Sequence, residues 1–215
     1  MLNSEVLDIM QERLGKRLAP TIRLNCLQEL NQAIRELERG PEKPWFLEAT
    51  ATGNLVASQD YLTLPANFLV EVEEGVFEVA TTDGAWTELV KKSREKIRAA
   101  TANADPAFPE AYALWGNRIL FGPTPDAAYA YRFDYYSRTT ALVDNAQAVT
   151  NDWLLEFFDY VTYKALIIVA RDRIQSDRVA QNMRSAYVDA KDAFMRECTA
   201  RKVANETYLL TDEEE

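Results

Sequence analysis

Apolar residues in the first forty positions recur at helical spacing. Leu2, Val6, Ile9, Met10 and Leu14 fall on one face, with Asn3 or Ser4 available as an N-cap and Gly15 near the end, which predicts an amphipathic helix. Pro20 can open a second helix, in which Ile22, Cys26, Leu30, Ala33 and Leu37 form the inner stripe before Gly40-Pro41 ends it. Two N-terminal helices are expected to pack as a pair.

From Trp45 the apolar period shortens to two, and Gly, Pro and Asn punctuate the chain. Tyr61–Pro65 alternates until proline stops it, while Val70-Glu71-Val72 and Val76–Val79 read as half-buried strands. Asp83-Gly84 suits a tight hairpin turn, with Trp86 resuming on the returning strand. The basic stretch Lys91–Arg98 is expected to interrupt the sheet as a helix or partly helical loop. A further hairpin pairs Ala111–Trp115 with Arg118–Phe121 about Gly116-Asn117. The next strand then points Tyr129, Tyr131, Phe133 and Tyr135 to one face.

Beyond Leu142 the helical period returns. Asn151-Asp152 can cap a helix with Leu154, Phe158, Val161, Ala165 and Ile168 on its inner face, and apolar residues nearly all round predict a central, buried helix. A last stripe runs through Val179, Met183, Ala186 or Tyr187, Ala190, Phe194 and Cys198. Residues 199–215 then read as an extended or weakly helical tail ending in four acids. The pattern predicts an α+β fold: an antiparallel helical bundle of two N-terminal and two C-terminal helices (1–44 and 142–198), an inserted β-rich subdomain (45–141) and an extended C-terminal tail (199–215).

Composition narrows function mainly by exclusion. With no histidine, the chain has no Ser-His-Asp triad, Cys-His pair or His-ligated metal. With seven glycines it carries neither a Walker loop nor a Gly-x-Gly-x-x-Gly turn. No enzymatic activity, cofactor or metal is expected. Glu73 and Glu74 could bind magnesium or do acid-base work, but a solvated strand edge is the preferred reading because nothing converges on them. A metal-carboxylate enzyme is correspondingly disfavoured. The two cysteines, Cys26 and Cys198, lie in helical stripes and are expected as reduced, buried thiols. No run of ~18 to 20 apolar residues could cross a bilayer, and the N-terminus lacks the features of a leader, so no membrane association and a cytoplasmic site of synthesis are expected.

The net charge of −10 opposes sequence-independent capture of DNA. It does not oppose encircling DNA, since a negative ring lumen lets a duplex slide. Against that background Lys91, Lys92, Arg94, Lys96 and Arg98 are candidates for polar or phosphate contact, with a solvated helix face as the preferred alternative. The aromatic row from Tyr129 to Tyr135 is read as core or subunit contact rather than a base-stacking platform, because Asp126 and Asp134 stand beside it. In the tail, Val203, Tyr208, Leu209 and Leu210 are apolar outside the stripe, which fits either docking on a partner or folding back on the chain's own helices.

Taken in order, the helix pair, Tyr61–Phe68, Ile119–Pro125, Tyr131–Tyr136 and Trp153-Leu154 opening a long helix resemble the head-to-tail adaptor, or connector, proteins of tailed bacteriophages. The resemblance spans nearly the whole chain, with one departure: the β insertion is larger than in the shortest adaptors and closer to those of short-tailed phages. It implies a structural virion protein in the neck, present in the host cytoplasm during assembly. The implied partners are the portal protein, a tail or nozzle protein, and copies of the chain itself in a ring of twelve through which DNA passes without specific binding. It further implies portal docking by the C-terminal segment with Val203, Tyr208, Leu209 and Leu210. A DNA-binding packaging accessory protein is the alternative, and it predicts salt-sensitive DNA affinity.

Overall fold

The computed structural model describes residues 1–15, 20–72, 77–102 and 104–211, with residues 202–211 described by backbone alone. The chain divides into a helical unit, Met1–Trp45 with Thr139–Glu215, and a β unit, Phe46–Arg138.

In the helical unit, α1 (Asn3–Arg13) buries Val6, Leu7 and Met10, so Leu7 joins the inner face while Leu2 stays exposed. Neither Asn3 nor Ser4 caps this helix from outside, because α1 begins at Asn3. Their free amides instead donate to the carbonyls of Gln147 (2.8 Å) and Asn145 (2.9 Å), so the returning chain satisfies the helix start. α2 (Pro20–Arg39) buries Cys26, Leu30, Ala33 and Ile34, and ends at Gly40. Arg23 of α2 reaches the Asp144 carboxylate (2.6 and 2.7 Å), the Ser4 carbonyl (3.0 Å) and Asp8. The guanidinium holds the Asp144 carboxyl below the usual carboxylate range. The Asn31 side chain brackets Leu142, accepting from its N–H at 2.8 Å and donating to its carbonyl at 3.0 Å.

The expected long helix from Asp152 is broken in two. α4 (Asp152–Glu156) stops at Phe157, whose backbone (φ −131°, ψ 48°) leaves the helical region, and α5 (Phe158–Ile168) starts on the far side. Asn151 holds the N-cap position, its carbonyl accepting from the Leu155 N–H at 3.1 Å, but its side chain makes no capping bond and its amide instead donates to Thr139 Oγ1 (2.9 Å) and the Thr140 carbonyl (2.6 Å). α5 packs against α2 on one side and a later helix, α6 (Asp177–Thr211), on the other, as its apolar circumference requires. A π-helical turn, Val169–Arg173, leads from α5 towards α6. There Arg173 meets the buried carboxylate of Glu29 at 3.3 Å. Between α4, α5 and α6 the rings of Trp153, Phe157, Tyr160 and Phe194 meet at centroid distances of 4.9 to 5.7 Å. Of the two readings of the tail, extended or weakly helical, the helical one holds as far as Thr211. α6 runs without a break to Thr211, because nothing in Thr199–Thr211 is a Pro or Gly that would stop it.

The β unit holds two sheets. In the first, β9 (Ala130–Ser137) is central, with β1 (Glu48–Asn54) along one edge. β3 (Phe68–Glu71) and β4 (Phe77–Ala80) pair along the other, and β5 (Trp86–Glu88) lies outside β4. The second sheet runs β2 (Tyr61–Thr63), β8 (Arg118–Gly122), β7 (Ala111–Trp115), β6 (Val90–Lys91). Gly84 (φ 89°) and Gly116 (φ 60°) take up the left-handed conformations of the β4–β5 and β7–β8 turns. β6 and β7 are parallel, and α3 (Arg94–Thr101) makes the crossover between them.

The two sheets share one core. Phe77, Phe133 and Tyr135 of the first and Tyr112, Ile119 and Phe121 of the second are buried together. The aromatic row is therefore core. Tyr129 and Tyr135 keep their hydroxyls satisfied by donating to Asp126 (2.7 Å) and Asn67 (2.9 Å). α3 covers the outer face of the second sheet, with Ile97 packed on Ala111, Ala113 and Leu120.

Candidate assembly surface

Among the described residues no group of three His, Cys, Asp or Glu could hold a metal ion, and no helix is long and apolar enough to cross a membrane. Glu73 and Glu74 lie outside the described residues.

The basic stretch separates into two kinds of residue. Lys91 forms an ion pair with Glu71, and Arg94 lies over the Trp115 ring, 3.6 Å from its centroid, so both are occupied within the β unit. Lys92, Lys96 and Arg98 are exposed and have no acidic partner among the described residues. Ser93 caps the helix that carries Lys96 and Arg98, its hydroxyl accepting from the Lys96 N–H at 3.4 Å. The structure thus holds a short, capped helix with two free cations and a third, Lys92, just before it. Val203, Tyr208, Leu209 and Leu210 belong by backbone to the last three turns of α6, and their side chains lie outside the described residues.

One surface escaped the sequence reading. Where α4 breaks into α5, the helices part from α6 and leave an open groove of about 720 Å³. Its apolar wall is Leu155, 57% exposed, with the half-buried rings of Phe157, Phe158 and Tyr163. Its opposite wall is the small-residue face of α6 at Ala186, Ala190 and Ala193. Four acids stand around it, and two are already matched: Asp159 by Arg13 at 2.7 Å and Glu197 by Arg201 at 2.9 Å. Glu156 and Asp189 have no basic partner among the described residues. The available signal was the Leu155-Glu156-Phe157-Phe158 run. It places apolar residues on both sides of the helix at once, which a single straight helix against one neighbour cannot bury.

Both cysteines are buried thiols outside any disulfide, and burial pushes the Cys26 thiol up to about 11. The folded protein is expected to give no reaction with a thiol-specific reagent at pH 8, and two equivalents per chain after denaturation. Rapid labelling of the native protein would mean that the helical unit opens locally.

A comparison with curated proteins finds no match. Among protein families, SU10 adaptor protein matches residues 4–206, from the second residue of α1 through both sheets and into α6. With a match of that extent, the chain belongs to the SU10 adaptor protein family, structural adaptors of bacteriophage.

Proposed function

We propose that this protein is a head-to-tail adaptor that assembles as a ring beneath the portal, in the neck of the virion, and joins the DNA-filled head to the tail. The family match over residues 4–206 carries this reading. The course of α6 supports it. The helix has 35 residues, or ~52 Å of axis at ~1.5 Å per residue, and its backbone continues as far as Thr211. A helix of this length that carries Val203, Tyr208, Leu209 and Leu210 in its last turns is suited to dock on the portal. The ring is expected to contain twelve copies, with a tail or nozzle protein on its far side. The charge of −10 suits a channel in which DNA slides without being held. Assembly takes place in the host cytoplasm.

The test is electron microscopy of the purified protein mixed with portal rings, with and without the residues after Thr199. The full chain is expected to add a layer of density below the portal, and the truncated chain, folded by circular dichroism, to add none. Equal density from the truncated chain would remove the docking role of the α6 terminus. No density from either, together with DNA binding at moderate salt, would favour the packaging-accessory alternative.

A further inference from the structure

We infer that the groove between α4–α5 and α6 receives α3 of a second copy of this chain, so that neighbouring subunits join head to tail through these two surfaces. This inference rests on the ring reading and specifies the contact that would build it.

Charge selects the occupant. The groove presents two unmatched acids, Glu156 and Asp189, over an apolar floor. A partner must bring cations on a short rigid element, because long solvated side chains on a loop would lose more entropy on ordering. The chain as a whole is strongly acidic, and copies of it repel one another at most orientations. The stretch from Lys91 to Arg98 is the exception, with five cations and one acid in eight residues. Three of those cations, Lys92, Lys96 and Arg98, remain free after the β unit has used the other two.

Size and shape agree. α3 has eight residues, or ~12 Å of axis at ~1.5 Å per residue; its exposed positions are Glu95, Lys96, Arg98 and the small Ala99 and Ala100, so with Lys92 just before it the element offers three free cations against one acid. The α6 wall of the groove is also lined with alanines. Small residues on both partners allow the axes to approach to the short end of the ~8–10 Å packing range. Lys96 and Arg98 would then lie within reach of Glu156 and Asp189, while Leu155 loses its exposure to water.

The two surfaces are different patches on one chain, so each bound copy still offers one free groove and one free α3. Such a contact is heterologous, and it builds a ring where the rotation from copy to copy closes.

The test uses the full chain without portal, so its failure is distinguishable from failure of portal docking. Lys96→Cys and Asp189→Cys are combined in one chain, whose native thiols are buried, and the concentrated protein is treated with a short bis-maleimide. The expected result is a covalent ladder of dimer, trimer and higher species, whereas either single-cysteine chain cannot go beyond dimer. Adding Glu156→Lys to the double-cysteine chain is expected to abolish species above the dimer, and adding Lys92→Glu and Arg98→Glu as well to restore them. Monomer alone, or a link formed only within one chain, would overturn the inference, and so would a ladder indifferent to these charge reversals.

Discussion

Phe77→Ala is expected to destabilise the β unit by ~3–5 kcal/mol, a large share of the ~5–15 kcal/mol that holds a typical domain folded. Phe77 is fully buried. Its ring lies 5.3 Å from Phe121 and 5.6 Å from Tyr112, both in the second sheet. It is also 5.5 Å from Tyr131 and from Phe133, its register partner on β9 in the first. The ring therefore fills the space where the two sheets meet, and four aromatic neighbours cannot all move inward to close the hole. Urea denaturation followed by tryptophan fluorescence should show a matching fall in midpoint, with Phe77→Leu losing less than half as much. A loss below ~1 kcal/mol for alanine would mean that the sheets do not depend on a common core at this point.

The second large effect is expected at Glu38. This residue is 1% exposed, and one carboxylate oxygen accepts from both the N–H and the hydroxyl of Thr139 at 2.7 Å. The other oxygen faces Arg35 at 3.2 Å. Asn151 completes the group by donating to the Thr139 hydroxyl. Glu38→Ala removes a charged acceptor and leaves a buried backbone N–H without a partner, for an expected loss of ~2–4 kcal/mol. Glu38→Gln keeps one acceptor oxygen and should lose roughly half of that. The local signature is faster hydrogen exchange at the Thr139 amide, and a double-mutant cycle with Thr139→Val should show coupling of ~1 kcal/mol or more. Independent, additive losses would show that the two side chains do not act as a unit.

Much of the fold was legible because it rests on local chemistry. Pro20 and Gly40-Pro41 bound α2, and Asp83-Gly84 and Gly116 place two hairpins; each follows from the conformations those residues favour. What the sequence concealed depends on distant neighbours. β1, Glu-Ala-Thr-Ala-Thr-Gly-Asn, has no large apolar residue, yet it pairs with β9 along its whole length. Small side chains are required there, since a Cβ at Gly53 would meet the Tyr131 ring at 3.0 Å. The break at Phe157 was hidden for a related reason. A helical period continues through it, while in the fold the Phe157 ring turns out of line to meet Trp45 at 5.8 Å and Phe194 at 4.9 Å. Glu38 sits among charged residues near a helix end, where an acid normally faces water; its partner is 101 positions away. Of the candidate site, the basic stretch could be read from its residues, but which of its cations remain free could not, because Glu71 and Trp115 come from other strands.

The division of the helical unit between the two ends of the sequence has a consequence during synthesis. α1 and α2 leave the ribosome first, but α5, the helix that covers α2, follows only after residues 46–138 and the returning segment have been made. At ~5–20 residues per second, the delay imposed by the β unit alone is roughly 5–20 s. Through that interval Leu30 and Ile34 lack their later cover, and Glu29 and Glu38 lack Arg173 and Thr139. Acids on the face that will become interior keep it hydrated and weaken its attraction for other nascent chains. The carboxylates that later fasten the finished fold thus first act as a temporary solubilising coat.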